Sequence, residues 1–144
     1  FCFVNLIEPG DDVVVCINGV FGMRMADLAI RCGANVIKVE APWGEIIRPE
    51  QVKEAIAGKS PKLIALVHAE TSTGALTPAE EISKIAHDAG ALMLLDTVTS
   101  LGGCEVDIDG WGIDAVYSGT QKCLSCPPRI GSRFTKSQGI ENCK

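Results

Sequence analysis

A chain of 144 residues with 47% hydrophobic content is long enough for one domain with a real core. Its net charge of −5 leaves no Lys/Arg stripe to neutralise phosphates, which argues against nucleic acid as a partner. No apolar run reaches the roughly 18 residues of a membrane span, and no basic region precedes an apolar one at the start, so no membrane partner is expected. A soluble, cytoplasmic protein is the expectation, or a peroxisomal or mitochondrial one in a eukaryote.

The chain opens without Met on FCFVNLIEPGD, which reads as the last turn of an apolar helix stopped by Pro9 and Gly10; a fragment of a longer protein is expected. DVVVCI (12–17) is a β-branched strand ending at Asn18-Gly19, and VFGMRMADLAIRCG (20–33) then carries apolar residues at helical spacing up to a Gly stop. NVIKVE (35–40) is a second strand. PEQVKEAIAG (49–58) has Pro at a helix start and Val52, Ala55 and Ile56 on one face. KLIALVHAE (62–70) is a third strand. TPAEEISKIAHDAG (77–90) begins a helix with Thr77 as N-cap, Pro78 at the first helical position and Glu80 three residues after the cap. ALMLLD (91–96) and DAVYS (114–118) complete the strands. This alternation predicts an α/β fold, a mostly parallel sheet with helices on both faces.

Open parallel sheets bind ligands beyond the carboxyl ends of their strands, so the residues just after each strand are where chemistry is expected. Asp96 closes an otherwise apolar strand, where a carboxylate needs a cationic or hydrogen-bonding partner. Lys122 follows Ser-Gly-Thr-Gln at the end of the last strand, and a lysine in a partly desolvated pocket there is an amine nucleophile toward carbonyls. Together they suggest a pyridoxal phosphate arrangement, a Schiff-base lysine with an acid on the pyridine nitrogen.

Three stretches carry a family resemblance: HAETSTG (68–74), LLDTVTSLGG (94–103) and YSGTQKCLSCPP (117–128). They resemble the motifs of the class V aminotransferases of the alanine–glyoxylate and serine–pyruvate type, in the same order and at similar spacing, across roughly residues 1–128. The resemblance implies the fold type I pyridoxal phosphate fold, with 1–128 an incomplete cofactor-binding large domain. It makes Lys122 the cofactor-linked amine and the base that carries the substrate Cα proton, and Asp96 the partner of the pyridine nitrogen. Gln121 matches a residue near the cofactor phosphate, Thr71 a hydroxyl beside the cofactor, Val98 a side chain packed on the ring, and Phe21 an aromatic stacked over it. The implied reaction is transamination between a small amino acid, alanine or serine, and a 2-oxo acid such as glyoxylate or pyruvate, in a homodimer.

Departures accompany the resemblance. The family's phosphate loop lies before residue 1 and its substrate-carboxylate arginine after residue 144, so little or no activity is expected of this chain by itself. Residues 129–144 read as a divergent tail, explained by a single-base frameshift, poorly ordered and without function.

Two readings compete from outside the family. INGVFG after the first strand, with Glu40 ending the second, faintly echoes a dinucleotide-binding Rossmann fingerprint, but only Gly19 and Gly22 of the three glycines are present. Cys123 and Cys126 suggest zinc or redox chemistry, but no second Cys or His pair lies at finger spacing. The seven cysteines, at 2, 16, 32, 104, 123, 126 and 143, show no secreted disulfide pattern, and most read as small buried hydrophobes, with Cys123 and Cys126 packing beside a turn set by Pro127 and Pro128. Within the pyridoxal phosphate class, cysteine desulfurases usually place His directly before the lysine, where this chain has Gln121. His68 is expected near the cofactor pocket and His87 on an exposed helix face.

Overall fold

The structure is a computed structural model and describes residues 2–134. Its elements are α1 (Cys2–Leu6), β1 (Asp12–Ile17), α2 (Val20–Arg31), β2 (Asn35–Glu40), α3 (Pro49–Ile56), β3 (Leu63–Val67), α4 (Ala79–Asp88), β4 (Leu92–Asp96), β5 (Ala115–Gly119) and β6 (Ile130–Phe134). They form one six-stranded sheet in the order β2-β1-β3-β4-β5-β6, parallel throughout except for β6, which runs antiparallel to β5.

The central strands are apolar on both faces because both faces are covered. Val14, Cys16, Ile64, Leu66, Met93 and Leu95 pack under α3 and α4, against Val52, Ile82 and Ile85. Their strand neighbours Val13, Val15, Ile17, Ala65 and Leu94 face α1 and α2, against Phe3, Met25 and Ala29. Each fully buried Val, Leu or Ile contributes about 1.5–3 kcal/mol, so the two-sided pattern decides the fold. Burial also pushes the Cys16 thiol up to about 12.

Local chemistry sets the helix ends. Gly22 lets α2 settle onto β1, since a Cβ there would stand 2.8 Å from the Cys16 carbonyl oxygen and 2.9 Å from Ile17 Cα. Past the end of α2, Gly33 takes φ +86°, and the Ala34 amide donates back to the Ala29 carbonyl, a left-handed helix stop. α3 starts with Pro49, and the Arg48 amide donates to Gln51 Oε1 at 2.8 Å.

Two expectations change. Thr77 does not cap α4: the helix starts at Ala79 with Pro78 at the cap position and no side-chain cap bond. Thr77 is buried, and its Oγ1 faces the Asn18 amide at 3.4 Å while its own N–H donates to the His68 carbonyl, so the hydroxyl serves the loop packing instead. The expected disorder from Arg129 onward does not hold for Ile130–Phe134, which the backbone pairs with β5 from Ala115↔Phe134 to Gly119↔Ile130. The rest of that segment, 135–144, and with it Cys143, lies outside the described residues. Among the described residues no helix is long and apolar enough to cross a membrane.

Candidate active site

Four parallel strands deliver their carboxyl ends to one place. β1 leads into α2, whose second residue is Phe21; the turn after β3 carries Thr71; β4 ends at Asp96, with Val98 two residues on; β5 leads to Gln121 and Lys122. All six line a single cavity of about 510 Å³, together with Arg24, Thr99, Tyr117 and apolar side chains of α1 and α2. The structure therefore gathers every expected site residue into one hollow.

Asp96 sits at its floor, 5% exposed. Strand register puts it between Val67 and Tyr117, directly opposite each, so the three side chains form a row on the α1/α2 side of the sheet. Its Oδ1 accepts the Val98 amide at 2.8 Å and its Oδ2 accepts the Tyr117 hydroxyl at 2.7 Å. Burial pushes the carboxyl above the usual carboxylate range; these two bonds pull it back down, and the Glu70 charge adds a further push upward. A buried carboxylate with both oxygens already oriented by neutral donors has lone pairs left for a cationic partner in the cavity.

Thr71 and Thr99 form a relay at the rim. The Thr99 hydroxyl donates to the Ala69 carbonyl at 2.7 Å, which leaves Thr99 to accept the Thr71 hydroxyl at 2.9 Å. Gln121 lies beside Gly119, where a Cβ would stand 2.7 Å from Gln121 Oε1; the missing side chain makes room for the amide. The Arg24 guanidinium sits 5.7 Å from the centre of the Phe21 ring, a cation–π distance.

Lys122 corrects one expectation: its side chain is exposed at the rim and not desolvated. The chain turns there, with the Ser125 amide donating to the Lys122 carbonyl and the Cys126 amide to the Thr120 carbonyl, and residues 121–129 are exposed.

Sequence reasoning missed Glu70, which organises the opposite wall. Glu70 is 1% exposed, and its Oε2 accepts the backbone amides of Phe21 and Gly22 at 3.1 and 3.2 Å. Its Oε1 accepts the Ser72 amide at 3.1 Å and hydroxyl at 2.7 Å, while Ser72 Oγ accepts the Val20 amide at 3.0 Å. A carboxylate from the β3 turn thus caps the positive end of α2 and fixes Phe21 at the cavity wall. The first amides of α2 are the donors that a dinucleotide pyrophosphate would need. They are occupied by the protein's own anion, which removes the physical basis of the Rossmann reading.

The remaining polar residues fall outside the cavity. His68 points to the other face of the sheet, buried edge-on against Trp111 with ring centroids 5.4 Å apart, and burial lowers its pKa. His87 is exposed as expected, but it also pairs with Asp114 Oδ2 at 2.9 Å. Cys123 and Cys126 are exposed rather than packed: the first thiol donates to the Thr99 carbonyl, the second to the Leu124 carbonyl. Cys104 is exposed as well, because the loop after β4 and the turn after β5 both lie outside the helix layers. Among the described residues no cluster of His, Cys, Asp or Glu could hold a metal ion. A larger hollow, about 600 Å³, lies between α2 and the end of β2. Its ionisable residues Asp27, Lys38 and Glu40 are exposed, so it offers no desolvated chemistry.

Known proteins share this fold. Over 123 residues the chain is 46% identical to the (S)-ureidoglycine–glyoxylate transaminase of Bacillus subtilis, covering 85% of the chain and 30% of that enzyme. It is 43% identical over 126 residues to the alanine–glyoxylate aminotransferase of Rattus norvegicus, 88% of the chain and again 30% of the relative. The crystal structure of alanine–glyoxylate aminotransferase from Nostoc sp. superposes with a TM-score of 0.87 at 46% identity, covering 94% of this chain and 36% of that one. The chain thus spans about a third of the length of the relatives it matches. The sequence model of the family described as "Aminotransferase class-V" matches residues 2–143. With the family model, the sequence identity and the fold in agreement, the chain belongs to the class V aminotransferase family.

Proposed function

We propose that this chain carries the cofactor-linking part of a pyridoxal-phosphate-dependent aminotransferase, which moves an amino group between a small amino acid, alanine or serine, and a 2-oxo acid such as glyoxylate or pyruvate. The observation that carries the reading is the gathering of Asp96, Lys122, Phe21, Thr71, Val98 and Gln121 around one cavity from four separate strand ends. The donor set fits that cofactor: a buried carboxylate for a ring nitrogen, an aromatic face, an exposed primary amine, and a neutral amide and hydroxyl at the rim. Glyoxylate as acceptor is supported by the names of the two curated relatives.

Pyridoxal phosphate, when bound, supplies an aldehyde that takes an amine and a ring that accepts the electron pair left at the substrate Cα. Asp96 would hold the ring nitrogen and its proton through its carboxylate, whose two oxygens are steadied by Val98 N–H and Tyr117 O–H. Lys122 would hold the cofactor through Nζ and would take and return the substrate Cα proton at that same atom. Phe21, held by Glu70, offers its face to the ring. Gln121 and Thr71 bind at the rim, toward the phosphate and the ring substituents.

The complete enzyme is proposed as a homodimer, in the cytoplasm or, in a eukaryote, the peroxisome or mitochondrion. The boundary at 128, with 129–144 frameshifted, is also a proposal, and the coding sequence decides it: it fails if no single-base shift restores the family pattern.

Borohydride reduction of the protein incubated with pyridoxal phosphate, followed by peptide mass spectrometry, tests the functional reading. A pyridoxyl adduct on Lys122 is expected. Adducts spread over the surface lysines with none enriched at Lys122 would overturn it.

A further inference from the structure

Asp96 does not stand alone at the cavity floor. Tyr117 occupies the directly opposed position on β5, lines the same cavity, and aims its hydroxyl at Asp96 Oδ2 from 2.7 Å. Thr97, next to Asp96, ties the two strands at this level: its amide donates to the Tyr117 carbonyl at 2.9 Å, and its hydroxyl donates to the same oxygen at 3.1 Å. The phenol ring packs into the core on the α1/α2 side, so the hydroxyl has little freedom to leave the carboxylate.

We infer that Tyr117 is a positioning residue for Asp96: its hydroxyl fixes the orientation of the carboxylate and supports its charge, so that a Tyr–Asp pair, not a lone aspartate, receives a cationic heteroaromatic nitrogen in the cavity. The nitrogen partner rests on the pyridoxal phosphate reading; the Tyr117 role rests on the geometry alone.

Direction supports the assignment. Burial, followed by the charge and hydrogen bond of Asp96, pushes the Tyr117 phenol far up, so it remains a protonated donor at any working pH. Donation to Oδ2 stabilises the charged form of Asp96 only, because a protonated carboxyl is a poorer acceptor. The other charged or titratable groups facing this pair are Glu70 after β3, Arg24 on α2, Cys2 on α1 and Lys122 at the rim. Glu70 opposes the charge on Asp96, whose carboxylate takes its hydrogen bonds from the Val98 amide and the Tyr117 hydroxyl. The Val98 amide cannot be removed by side-chain substitution, so among the described residues Tyr117 is the adjustable donor.

Tyr117→Phe deletes a single oxygen and keeps the ring, so the fold is retained. The first measurement is the pH titration of the Asp96 side-chain carboxyl by ¹³C NMR in cofactor-free protein, assigned with Asp96→Asn. Loss of a hydrogen bond to a charged group makes Asp96 about tenfold the weaker acid in Tyr117→Phe. The second is binding of pyridoxal phosphate against its analogue with ring nitrogen replaced by CH. The dissociation constant for pyridoxal phosphate rises about tenfold, while that for the analogue stays where it was. An unchanged titration, or equal weakening of both ligands, overturns the inference, because a merely structural tyrosine gives one of those results. If the unaltered protein binds neither ligand and takes no adduct at Lys122, the cofactor reading falls, and the titration still decides whether Tyr117 sets the charge on Asp96.

Discussion

Truncating Glu70 to Ala removes the acceptor of four hydrogen bonds, from the amides of Phe21, Gly22 and Ser72 and the hydroxyl of Ser72. Two of those amides open α2, and each buried donor left without a partner costs about 1–3 kcal/mol. Loss of a negative group at a helix N-terminus adds up to about 2 kcal/mol. Relief from burying the carboxylate, which is 1% exposed, offsets part of this. The balance is a destabilisation of about 3 kcal/mol, read as a drop of about 6–12 °C in Tm for a chain of this size. Urea denaturation with an unchanged m-value is the cleaner assay. Glu70→Gln keeps the shape and one acceptor, so it loses about half as much. A double-mutant cycle sharpens the result. A Cβ at Gly19 would collide with Glu70 Cγ and Ser72 Oγ, so Gly19→Ala is more costly in the native background than in Glu70→Ala, with a coupling of about 1 kcal/mol. A loss below about 1 kcal/mol in Glu70→Ala, or equal losses for Gln and Ala, refutes the capping argument.

Three other outcomes are expected. Lys122→Ala abolishes the borohydride-trapped adduct and leaves the denaturation midpoint unchanged, since the side chain is exposed. His68, whose pKa is lowered by burial, binds its proton more readily in the unfolded chain. Its share of stability is present above about pH 6.5 and is lost as pH falls through the lower folded value. Chemical denaturation between pH 5 and 8 shows this slope in the native protein and loses it in His68→Phe, which retains an aromatic edge for Trp111. Gly119→Ala places a Cβ 2.7 Å from Gln121 Oε1, and the flexible amide swings away. Stability stays within about 0.5 kcal/mol, and absorbance titration shows pyridoxal phosphate bound several-fold more weakly.

Asp12–Ile17 and Asn35–Glu40 are legible to the residue, because each is a short run rich in β-branched residues bounded by turn residues, the first buried and the second an edge strand. Asp96 is legible as a carboxylate closing an apolar strand, and Lys122 as an amine in the turn just past the next one. Glu70 is not: its motif shows the carboxylate, but the amides it caps lie 48 and 49 residues earlier and meet it only after β1 and β3 pair. Tyr117 reads in the sequence as a strand residue, and its bond to Asp96 exists only through the β4/β5 register. The hint was an aromatic hydroxyl at the polar end of a strand. Thr77 misled because a good cap sequence competes with a buried partner, and Asn18 won. β6 escaped notice because Ile130–Phe134 includes Gly131 and Ser132, poor strand formers, and its order comes from pairing with β5.

The row Val67, Asp96, Tyr117 crosses three neighbouring strands at one level, which makes the hollow a reporter of alignment. Sliding β4 by a single residue would turn the carboxylate to the far face of the sheet and put an aliphatic side chain at the floor. A ligand gripping Asp96 therefore also grips β3 through the His68 amide on the Asp96 carbonyl, and β5 through the Thr97 amide on the Tyr117 carbonyl. Occupancy would act as a clasp across β3, β4 and β5 at the carboxyl end of the sheet, slowing local opening there and tying its folding to the small molecule it holds.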